Sequence, residues 1–477
     1  MTNVFLILLF IFFFTLPLFA QSVDTAWVRR YNGPGNYDDK AYTIAVDGSG
    51  NVYVTGYSWG SGTLSDYATI KYDPAGNQLW VQRYNGPGNS TDAANAIAVD
   101  GSGNVYVTGH SIGSGTSYDY ATIKYSPDGD TVWVRRFDGQ GSGWGARDIA
   151  VDSSGNVYVT GASGGKFTTI KYAPDGDTAW IRQYNGPLNF DDVANAITVD
   201  NSGNVYVTGE SWDTTAKNDY TTIRYYPNGD TAWVRRFSGP GSSWDVPYKI
   251  ASDESGNTFV TGTMGTIKYD INGNQLWNKW WGMGAGNDMI VAHSGNVYVG
   301  GWSLVGGPMT KYATIKYYPD GDTAWIRVNT GSASPLEHAN SIAVDDSGNA
   351  YVTGNNGTIK YSNEGDSLWS VTGIGLAIAL DGSENIYVTG WSLGSGEGNY
   401  YDYATIKYVQ FLRGDVNNDK SVSMVDIVYL VSYLFKKGPQ PSPILQVGDA
   451  NCNGKVNIAD VVYLVAFLFK GGKQPCR

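Results

Sequence analysis

Two short acidic segments near the end of the chain carry the side chains whose chemistry is clearest. The first runs G-D-V-N-N-D-K-S-V-S-M-V-D from Gly414, and the second runs G-D-A-N-C-N-G-K-V-N-I-A-D from Gly448. Side chains at loop positions 1, 3, 5, 9 and 12 and the carbonyl oxygen at position 7 can turn inward together, and hard oxygen donors at this spacing suit a large divalent cation. The sequence therefore predicts two calcium ions. The predicted ligands are Asp415, Asn417, Asp419, Ser421, Ser423 and Asp426 in the first loop and Asp449, Asn451, Asn453, Lys455, Asn457 and Asp460 in the second, with Ser421 and Lys455 offering their carbonyl oxygens.

Position 6 of such a loop needs a residue that tolerates a sharp turn. Gly454 occupies it in the second loop, whereas Lys420 occupies it in the first. Because glycine enters the left-handed backbone region without steric cost, we expect the first loop to be the weaker site. An apolar run follows each loop, from Ile427 and from Val461, and predicts a helix, but no amphipathic helix precedes either loop. Each unit is therefore half of an EF-hand.

Two such half EF-hands in tandem resemble the type I dockerin family, whose repeats have the form G-D-x-N-x-D-G-x-x-x-x-x-D followed by a helix. The resemblance covers residues 414–477. It implies a calcium-dependent module that binds a cohesin module on a scaffold or cell surface, most often in polysaccharide-degrading assemblies. It also implies that loop positions 10 and 11 contact the partner, although such dockerins usually carry a small hydroxyl pair there. In this chain these positions hold Met424, Val425, Ile458 and Ala459.

The start of the chain is typical of an export signal. An apolar run from Val4 to Phe14 precedes the small residue Ala20, which predicts a signal peptide over residues 1–20 and a secreted or cell-surface protein. A membrane-spanning helix is the alternative, although the run is shorter than the roughly 20 residues that a span needs. No other stretch could cross a membrane. In an oxidising compartment the two cysteines, Cys452 and Cys476, are predicted to form a disulfide.

Charge and composition narrow the remaining function classes. A formal net charge of −12 argues against a nucleic-acid partner, because binding phosphates requires rows of Lys and Arg. The 62 glycines, 35 tyrosines and 16 tryptophans, with few helix-favouring runs before residue 410, predict an all-β body over residues 21–410. Residues 411–477 are predicted to form the small helical calcium-binding domain.

The body repeats one unit eight times, with four strand signals in each. The signals are an I-A-V-D-like run, N-V-Y-V-T-G, T-I-K-Y and a strand that contains tryptophan. The repeat tryptophans are Trp27, Trp80, Trp133, Trp180, Trp233, Trp277, Trp325 and Trp369. Four strands in a period of about 49 residues are typical of a propeller. The Asp-rich turns between strands, D-G-S-G-N and P-D-G-D, are interpreted as structural rather than metal-binding.

These units resemble the SBBP family of bacterial β-propeller repeats over about residues 23–408, which implies an eight-bladed β-propeller. A β-helix or a row of hairpins is the alternative fold. The phase of the repeats favours a closed ring, because the Trp27 strand precedes the first I-A-V-D-like run and the last unit ends at Tyr408 without a tryptophan strand. The N-terminal strand is therefore predicted to complete the last blade, which leaves no open sheet edge.

The long connections are predicted to lie on one face of the disc. Strands one to two and three to four are joined by short turns, and the other two connections are longer, so both long classes emerge on the same side. Tryptophans outside the repeat position lie in or beside these connections. They suit stacking on sugar rings or contact with a protein, and the alternative is that they fill gaps between blades. The candidates for a ligand face are Trp59, Trp144, Trp212, Trp244, Trp302 and Trp391.

The sequence assigns no catalytic residue. It contains no H-E-x-x-H or G-x-S-x-G signature, and its histidines, His110, His293 and His338, are interpreted as surface or turn residues. The loop carboxylates Asp38, Asp39, Asp191 and Asp192 could form an acid–base pair, although their repetition favours a structural role.

Three functions remain open. The first is a secreted non-catalytic protein, with the propeller as a recognition disc for a polysaccharide or an extracellular protein and the tail as a calcium-dependent anchor to cohesin. The second is a glycan-active hydrolase or lyase that the same tail targets, and the third is a structural surface-layer component.

Overall fold

The computed structural model describes residues 22–138, 144–188, 190–212, 218–239, 244–280, 284–304, 310–329, 337–394 and 400–475. The predicted signal peptide lies outside them. The chain divides into two compact units, one formed by residues 25–409 and another to which residues 410–477 belong. The first unit is built of strands and the second of two helices with their loops.

The strands of the first unit form eight four-stranded sheets, and each sheet is one blade. The first strands are Asp39–Val46, Asp92–Val99, Gly145–Val151, Val193–Val199, Pro247–Ser252, Gly284–Val291, Ala339–Val344 and Ala377–Leu380. The second strands are Val52–Trp59, Val105–Ile112, Val157–Ser163, Val205–Trp212, Thr258–Gly262, Val297–Ser303, Ala350–Gly354 and Ile386–Leu393. The third strands are Ser65–Tyr72, Tyr118–Tyr125, Lys166–Tyr172, Asn218–Tyr225, Gly265–Tyr269, Lys311–Tyr317, Gly357–Tyr361 and Tyr401–Phe411. The fourth strands are Gln78–Tyr84, Thr131–Phe137, Thr178–Tyr184, Thr231–Phe237, Gln275–Lys279, Thr323–Asn329, Ser367–Val371 and, in blade eight, Ser22–Tyr31.

The D-G-S-G-N turns join first and second strands through one aspartate. In blade one, Asp47 accepts hydrogen bonds from the backbone N–H groups of Ser49 and Asn51, the Asn51 amide and the Tyr53 hydroxyl, at 2.7–2.9 Å. These bonds lower the pKa of Asp47 against the effect of burial, which alone would raise it. Gly50 takes a positive φ of 78°, which most side chains resist. The interpretation of this aspartate as a structural turn residue is confirmed.

The core of the propeller lies between adjacent blades. Trp80, on a fourth strand, has ring-centroid distances of 6.0 Å both to Tyr53 of its own blade and to Tyr125 of the next. Its indole N–H donates to the Pro127 carbonyl oxygen in the next blade at 3.1 Å. Equivalent aromatic contacts recur around the disc, so each blade needs its neighbour to bury its faces.

The N-terminal strand closes the ring. It pairs with the third strand of blade eight, and Trp27 contacts Tyr387 of that blade and Tyr72 of blade one, both at 6.0 Å. Each first strand contacts the first strands of both neighbouring blades, and those of blades eight and one also meet. The predicted eight-bladed closed ring is confirmed, and the alternatives of a β-helix or a row of hairpins are wrong.

The second unit contains two helices, α1 (Met424–Lys436) and α2 (Ile458–Lys470), and a short 3-10 helix, Leu445–Gly448. Its core includes Leu430 and Leu464, both fully buried and 34 positions apart in the sequence. The predicted pair of half EF-hands in a small helical domain is confirmed. Among the residues that the structure describes, no helix is long and apolar enough to cross a membrane.

Candidate calcium centre and ligand face

The first acidic loop brings three carboxylates together. Oxygen atoms of Asp415, Asp419 and Asp426 lie within 4.8 Å of one another. Asp415 accepts the backbone N–H groups of Asp419 and Lys420 at 3.0 and 2.8 Å, and Asp426 accepts that of Asn417 at 3.3 Å. These hydrogen bonds wrap the backbone around the two buried carboxylates. Oxygen atoms of both still lie close enough together, with one of Asp419, to contact a single cation.

The second loop repeats this framework bond for bond. Asp449 accepts the N–H groups of Asn453 and Gly454 at 3.0 and 2.9 Å, and Asp460 accepts that of Asn451 at 3.2 Å. Asp449 and Asp460 are buried like their counterparts in the first loop. The second loop has two carboxylates where the first has three, because Asn453 stands where the first loop has Asp419.

The last ligand positions of each loop also start a helix. Ser423 and Asp426 form a capping box at the N-terminus of α1, and Asn457 and Asp460 form the same box at α2. A capping box satisfies backbone N–H groups that have no partner within the helix. The sequence therefore couples the fold of each loop to the start of its helix.

The electrostatics of the first loop fit a cation. Burial raises the pKa of Asp415 to about 6, and the nearby carboxylates of Asp426 and Asp419 add to the rise. Burial also raises the pKa of Asp426 and of Asp460 in the second loop. Crowded, buried carboxylates repel one another, and a divalent cation relieves that repulsion while completing an oxygen coordination shell. The carboxylates that the structure groups, Asp415, Asp419 and Asp426, are hard oxygen donors, so the residues present in the first loop fit calcium.

Both helices expose large apolar side chains at matching positions. On α1 these are Met424, Val425, Val428 and Phe435, and on α2 they are Ile458, Val462 and Phe469, each more than half exposed. Met424 and Ile458, Val428 and Val462, and Phe435 and Phe469 are each 34 positions apart. The predicted partner-binding residues Met424, Val425 and Ile458 thus lie on exposed apolar faces, and Ala459 follows Ile458 on α2.

The predicted disulfide pairs Cys452, in the second loop, with Cys476. Cys476 lies outside the described residues, so the pairing stays a prediction.

In the propeller, the loop face is the side that carries the connection 32–38 from blade eight to blade one, the connection 60–64 within blade one, and their equivalents. Buried aspartates hold these connections together. Asp39 accepts the N–H groups of Gly33 at 2.6 Å and Trp59 at 3.0 Å, which ties one connection to the other. Asp92 and Asp245 accept from the equivalent glycines in blades two and five at 2.6 Å. The connection from second to third strand is only two residues long in blades three, five and seven.

Three of the four carboxylates that could form acid–base pairs accept backbone hydrogen bonds. Asp39 and Asp192 are buried and accept backbone hydrogen bonds, and burial raises the pKa of both. Asp38 accepts the N–H of Tyr401 at 3.0 Å, and Asp191 lies on the connection before blade four. Each pair stands on its own blade, in a place that other blades also use.

The tryptophans of the predicted ligand face fall into two groups. Trp59, Trp212, Trp302 and Trp391 lie at the loop-face end of second strands and are half-buried. Trp144 and Trp244 lie in connections to the next blade and are 57% and 67% exposed. The loop face therefore presents aromatic surface in several blades, although much of it also packs against neighbours.

The histidines are spread over three blades. His110 is largely buried against Tyr118, with a ring-centroid distance of 4.9 Å, and burial lowers its pKa to about 4. His338 stacks on Trp302 at 5.5 Å, and burial lowers its pKa. His293 is exposed beside Glu254.

Four asparagines that link neighbouring blades were not predicted from the sequence. Asn95, Asn195, Asn287 and Asn340 each occupy a bulge in a first strand. Each side-chain amide donates to a backbone carbonyl oxygen at the start of the next blade's first strand, or just before it, at 2.7–2.9 Å. The only signal in the sequence is that each Asn directly follows a small residue near the start of a first strand, a pattern too common to notice.

The fold and the two loops define the class of protein, an eight-bladed β-propeller followed by a paired calcium-loop module. The sequence matches the SBBP beta-propeller repeat family over residues 26–62, 79–115, 132–168, 179–214 and 338–355, and the type I dockerin domain family over residues 413–468. The chain thus carries SBBP beta-propeller repeats and a C-terminal type I dockerin domain. Dockerin domains typically bind calcium and cohesin modules.

Other similarities concern the propeller. An uncharacterised WD repeat-containing protein of Acanthamoeba polyphaga mimivirus is 26% identical over 157 residues, which cover 25% of this chain and 11% of that protein. The solved Dos1 propeller has a TM-score of 0.53 at 10% identity, covering 81% of this chain and 95% of its own. A catalytically inactive virginiamycin B lyase from Staphylococcus aureus, solved with quinupristin, has a TM-score of 0.45 at 11% identity over 81% of this chain and 99% of its own. At 10% identity, the similarity to the Dos1 propeller shows the fold alone.

Proposed function

We propose that this is a secreted, non-catalytic binding protein. Its dockerin domain holds two calcium ions and anchors the chain to a cohesin module of a cell-surface or polysaccharide-degrading assembly, and its propeller is the recognition disc. The dockerin domain and the propeller together support a non-catalytic or cell-surface assembly role. Dockerin proteins are typically extracellular or attached to the cell surface.

The observation that carries the proposal is the duplication in the dockerin domain. Two loops with the same hydrogen bonds each lead into a helix that exposes the same apolar positions. Val428 and Val462 are 63% and 62% exposed on helices of 13 residues. Apolar side chains exposed at matching sites on a small domain mark a protein-binding surface, because such a patch has no stabilising role in the free domain.

The exposed residues also narrow the kind of cohesin. Met424 and Ile458 replace the hydroxyl side chains that the resemblance leads one to expect, so hydrogen bonding at these positions gives way to apolar contact. The partner surface is therefore expected to be apolar where it meets the start of either helix.

Capture by a panel of immobilised cohesin modules, in calcium and in EGTA, tests the anchor. We expect calcium-dependent capture that is weakened by Val428→Asp and Val462→Asp and weakened most by the double variant. Val132→Asp, at an exposed valine of the propeller, is the matched control and should bind as the parent does. Capture that persists in EGTA, or that the double variant leaves unchanged, contradicts the proposal.

The buried state of Asp39 and Asp192 supports a propeller without catalysis, because both carboxylates already bind backbone N–H groups. Incubation of the calcium-loaded protein with a panel of polysaccharides, followed by measurement of reducing ends and of unsaturated products, tests this part. Turnover that an Asp39→Asn or Asp192→Asn variant abolishes would establish the hydrolase or lyase alternative instead.

A further inference from the structure

Two groups of three aromatic side chains occupy equivalent places on the loop face. We call them platform one, formed by Tyr37, Trp59 and Tyr400, and platform two, formed by Phe190, Trp212 and Trp244. Tyr37 and Phe190 each lie four positions before the buried alanine of a first strand, and each is followed 22 positions later by the tryptophan that ends the second strand. The third ring comes from the adjoining blade or connection in both cases.

The geometry within the platforms is similar. The ring centroid of Tyr37 lies 5.2 Å from that of Trp59 and 5.0 Å from that of Tyr400. Trp212 lies 5.6 Å from Phe190 and 5.9 Å from Trp244. In platform one the shared ring is Tyr37, which contacts both others, and in platform two it is the half-buried Trp212.

In each platform, two aromatic rings are largely exposed to solvent and so bury little surface in the fold. Tyr37 and Tyr400 are 48% and 39% exposed, and Phe190 and Trp244 are 52% and 67% exposed. Neighbouring exposed aromatic rings that pack against one another are held in place, and such a patch is suited to binding a ligand.

Ion pairs lie beside both platforms. Near platform one, Lys40 lies 4.0 Å from Asp38 and over the rings of Trp391 and Tyr401, at 5.3 and 5.5 Å. Near platform two, Asp219 pairs with Arg236 at 3.2 Å. A charged ligand would have to compete with these pairs, whereas a neutral one would not.

The position of the platforms favours a long ligand. Platform one lies at the junction of blades eight and one, and platform two lies at blade four and its connection to blade five, on the far side of an eight-bladed ring. The first strands lie between the platforms, and some of them carry polar side chains such as Asn95 and Asn195, whose amides donate to the next blade. A protein hot spot is normally a single central apolar patch inside a rim, whereas a repetitive chain can use two separate patches.

We propose that the two platforms bind one neutral polysaccharide chain, with sugar rings stacked on the exposed aromatics at each end of the contact. This inference rests on the proposed role of the loop face as the recognition surface. Binding at either platform alone is weak, and occupation of the second platform by the same chain is intramolecular, so affinity rises steeply once the chain reaches both.

Affinity electrophoresis and titration calorimetry test this with the full-length, calcium-loaded protein. The probes are mixed-linkage β-glucan and galactomannan as neutral polymers, polygalacturonate as an anionic polymer, and cello-oligosaccharides of increasing length. One variant, Tyr37→Ala/Tyr400→Ala, removes the outer rings of platform one, and another, Phe190→Ala/Trp244→Ala, removes those of platform two. Tyr226→Ala/Tyr318→Ala is the matched control, because these tyrosines are 46% and 48% exposed in turns between third and fourth strands, away from the loop face.

We expect each platform variant to bind at least one neutral polymer about tenfold or more weakly than the parent, and to bind a short oligosaccharide only about twofold more weakly. The control should match the parent. Binding unchanged after removal of both platforms, preference for polygalacturonate, or failure of the parent to bind any neutral polymer overturns the inference. Cohesin capture is measured on the same preparations: capture without glycan binding overturns only this inference, and loss of capture overturns the anchor as well.

Discussion

The indole N–H of Trp27 donates to the carbonyl oxygen of Pro74 at 3.2 Å, which joins the N-terminal strand, in blade eight, to blade one. Trp180 makes the same bond to Pro227, also at 3.2 Å, in the middle of the repeat array. Closure of the ring therefore uses the same contact as the junction of blades three and four.

This equivalence predicts that Trp27→Ala and Trp180→Ala destabilise the propeller alike. Both remove a large buried ring and leave a cavity between blades, which typically costs about 3–5 kcal/mol. Guanidinium unfolding followed by tryptophan fluorescence measures the effect. A much smaller loss for Trp27→Ala would mean that the seam contributes little and that the ring opens readily.

The inter-blade asparagines should matter more than their size suggests. Asn195 donates to the Pro247 carbonyl oxygen at 2.8 Å and accepts a hydrogen bond from Arg147. Asn195→Ala leaves both partners unpaired at a half-buried site, and we expect a loss of about 1–3 kcal/mol in unfolding free energy. Asn85→Ala, at an exposed asparagine, should change it by less than about 0.5 kcal/mol. If both variants lose the same amount of unfolding free energy, the hydrogen bond from the Asn195 side chain to Pro247 is not stabilising.

Calcium should bind at two separable sites. Asp426→Ala and Asp460→Ala each remove the last ligand of one loop and the capping partner of the helix that follows it. Calorimetric titration should give two ions for the parent, one for either single variant and none for the double variant. Far-ultraviolet circular dichroism of residues 411–477 should show helix in calcium and little helix in EGTA, because binding and folding are coupled. Full helicity in EGTA would contradict this.

A glycine at position 6 of the first loop should increase its affinity for calcium. Lys420 adopts a φ of 69°, and Gly454 adopts 81° at the same position of the second loop. The left-handed conformation costs a side-chain-bearing residue about 1 kcal/mol, which glycine avoids. Lys420→Gly is therefore expected to tighten calcium binding by the first loop, and Gly454→Lys to weaken it in the second. Calorimetry of both variants measures these affinities. If neither affinity changes, or if they change in the opposite directions, backbone strain at position 6 does not determine calcium affinity.

His110 predicts a dependence of stability on pH. Its pKa is lowered to about 4 by burial, whereas an unfolded histidine titrates near 6.5. Between these values the unfolded chain binds a proton that the folded chain does not, so His110 makes the fold less stable as pH falls from about 6.5 to about 4, by at most about 2–3 kcal/mol. In the His110→Gln variant, the midpoint of unfolding should change less with pH over this range than it does in the parent. Parallel pH profiles would indicate that the ring is protonated in the folded protein.

Much of this architecture could be predicted from the sequence because each repeat contains four recognisable strand signals. The early Trp27 strand and the final strand without a tryptophan sufficed to predict closure, since a propeller blade needs four strands. The two loop-and-helix units were equally predictable, because an apolar run follows each acidic loop. Contacts that depend on neighbouring blades were not: a lone Asn195 gives no sign that its amide reaches Pro247. The same holds for Trp59, whose half-buried state depends on Tyr37 and so on how two connections meet.

The closing strand also has a consequence for how the molecule is made. About 370 residues separate Tyr31 from Tyr403, the ring that it contacts in blade eight at 5.7 Å. At roughly 5–20 residues per second, the N-terminal strand waits for tens of seconds before its partner is synthesised. Only a chain that reaches the eighth repeat can shut the ring, so we expect a prematurely terminated product to leave the N-terminal strand without its sheet. The seam thus acts as a check on length, carried out by the fold itself.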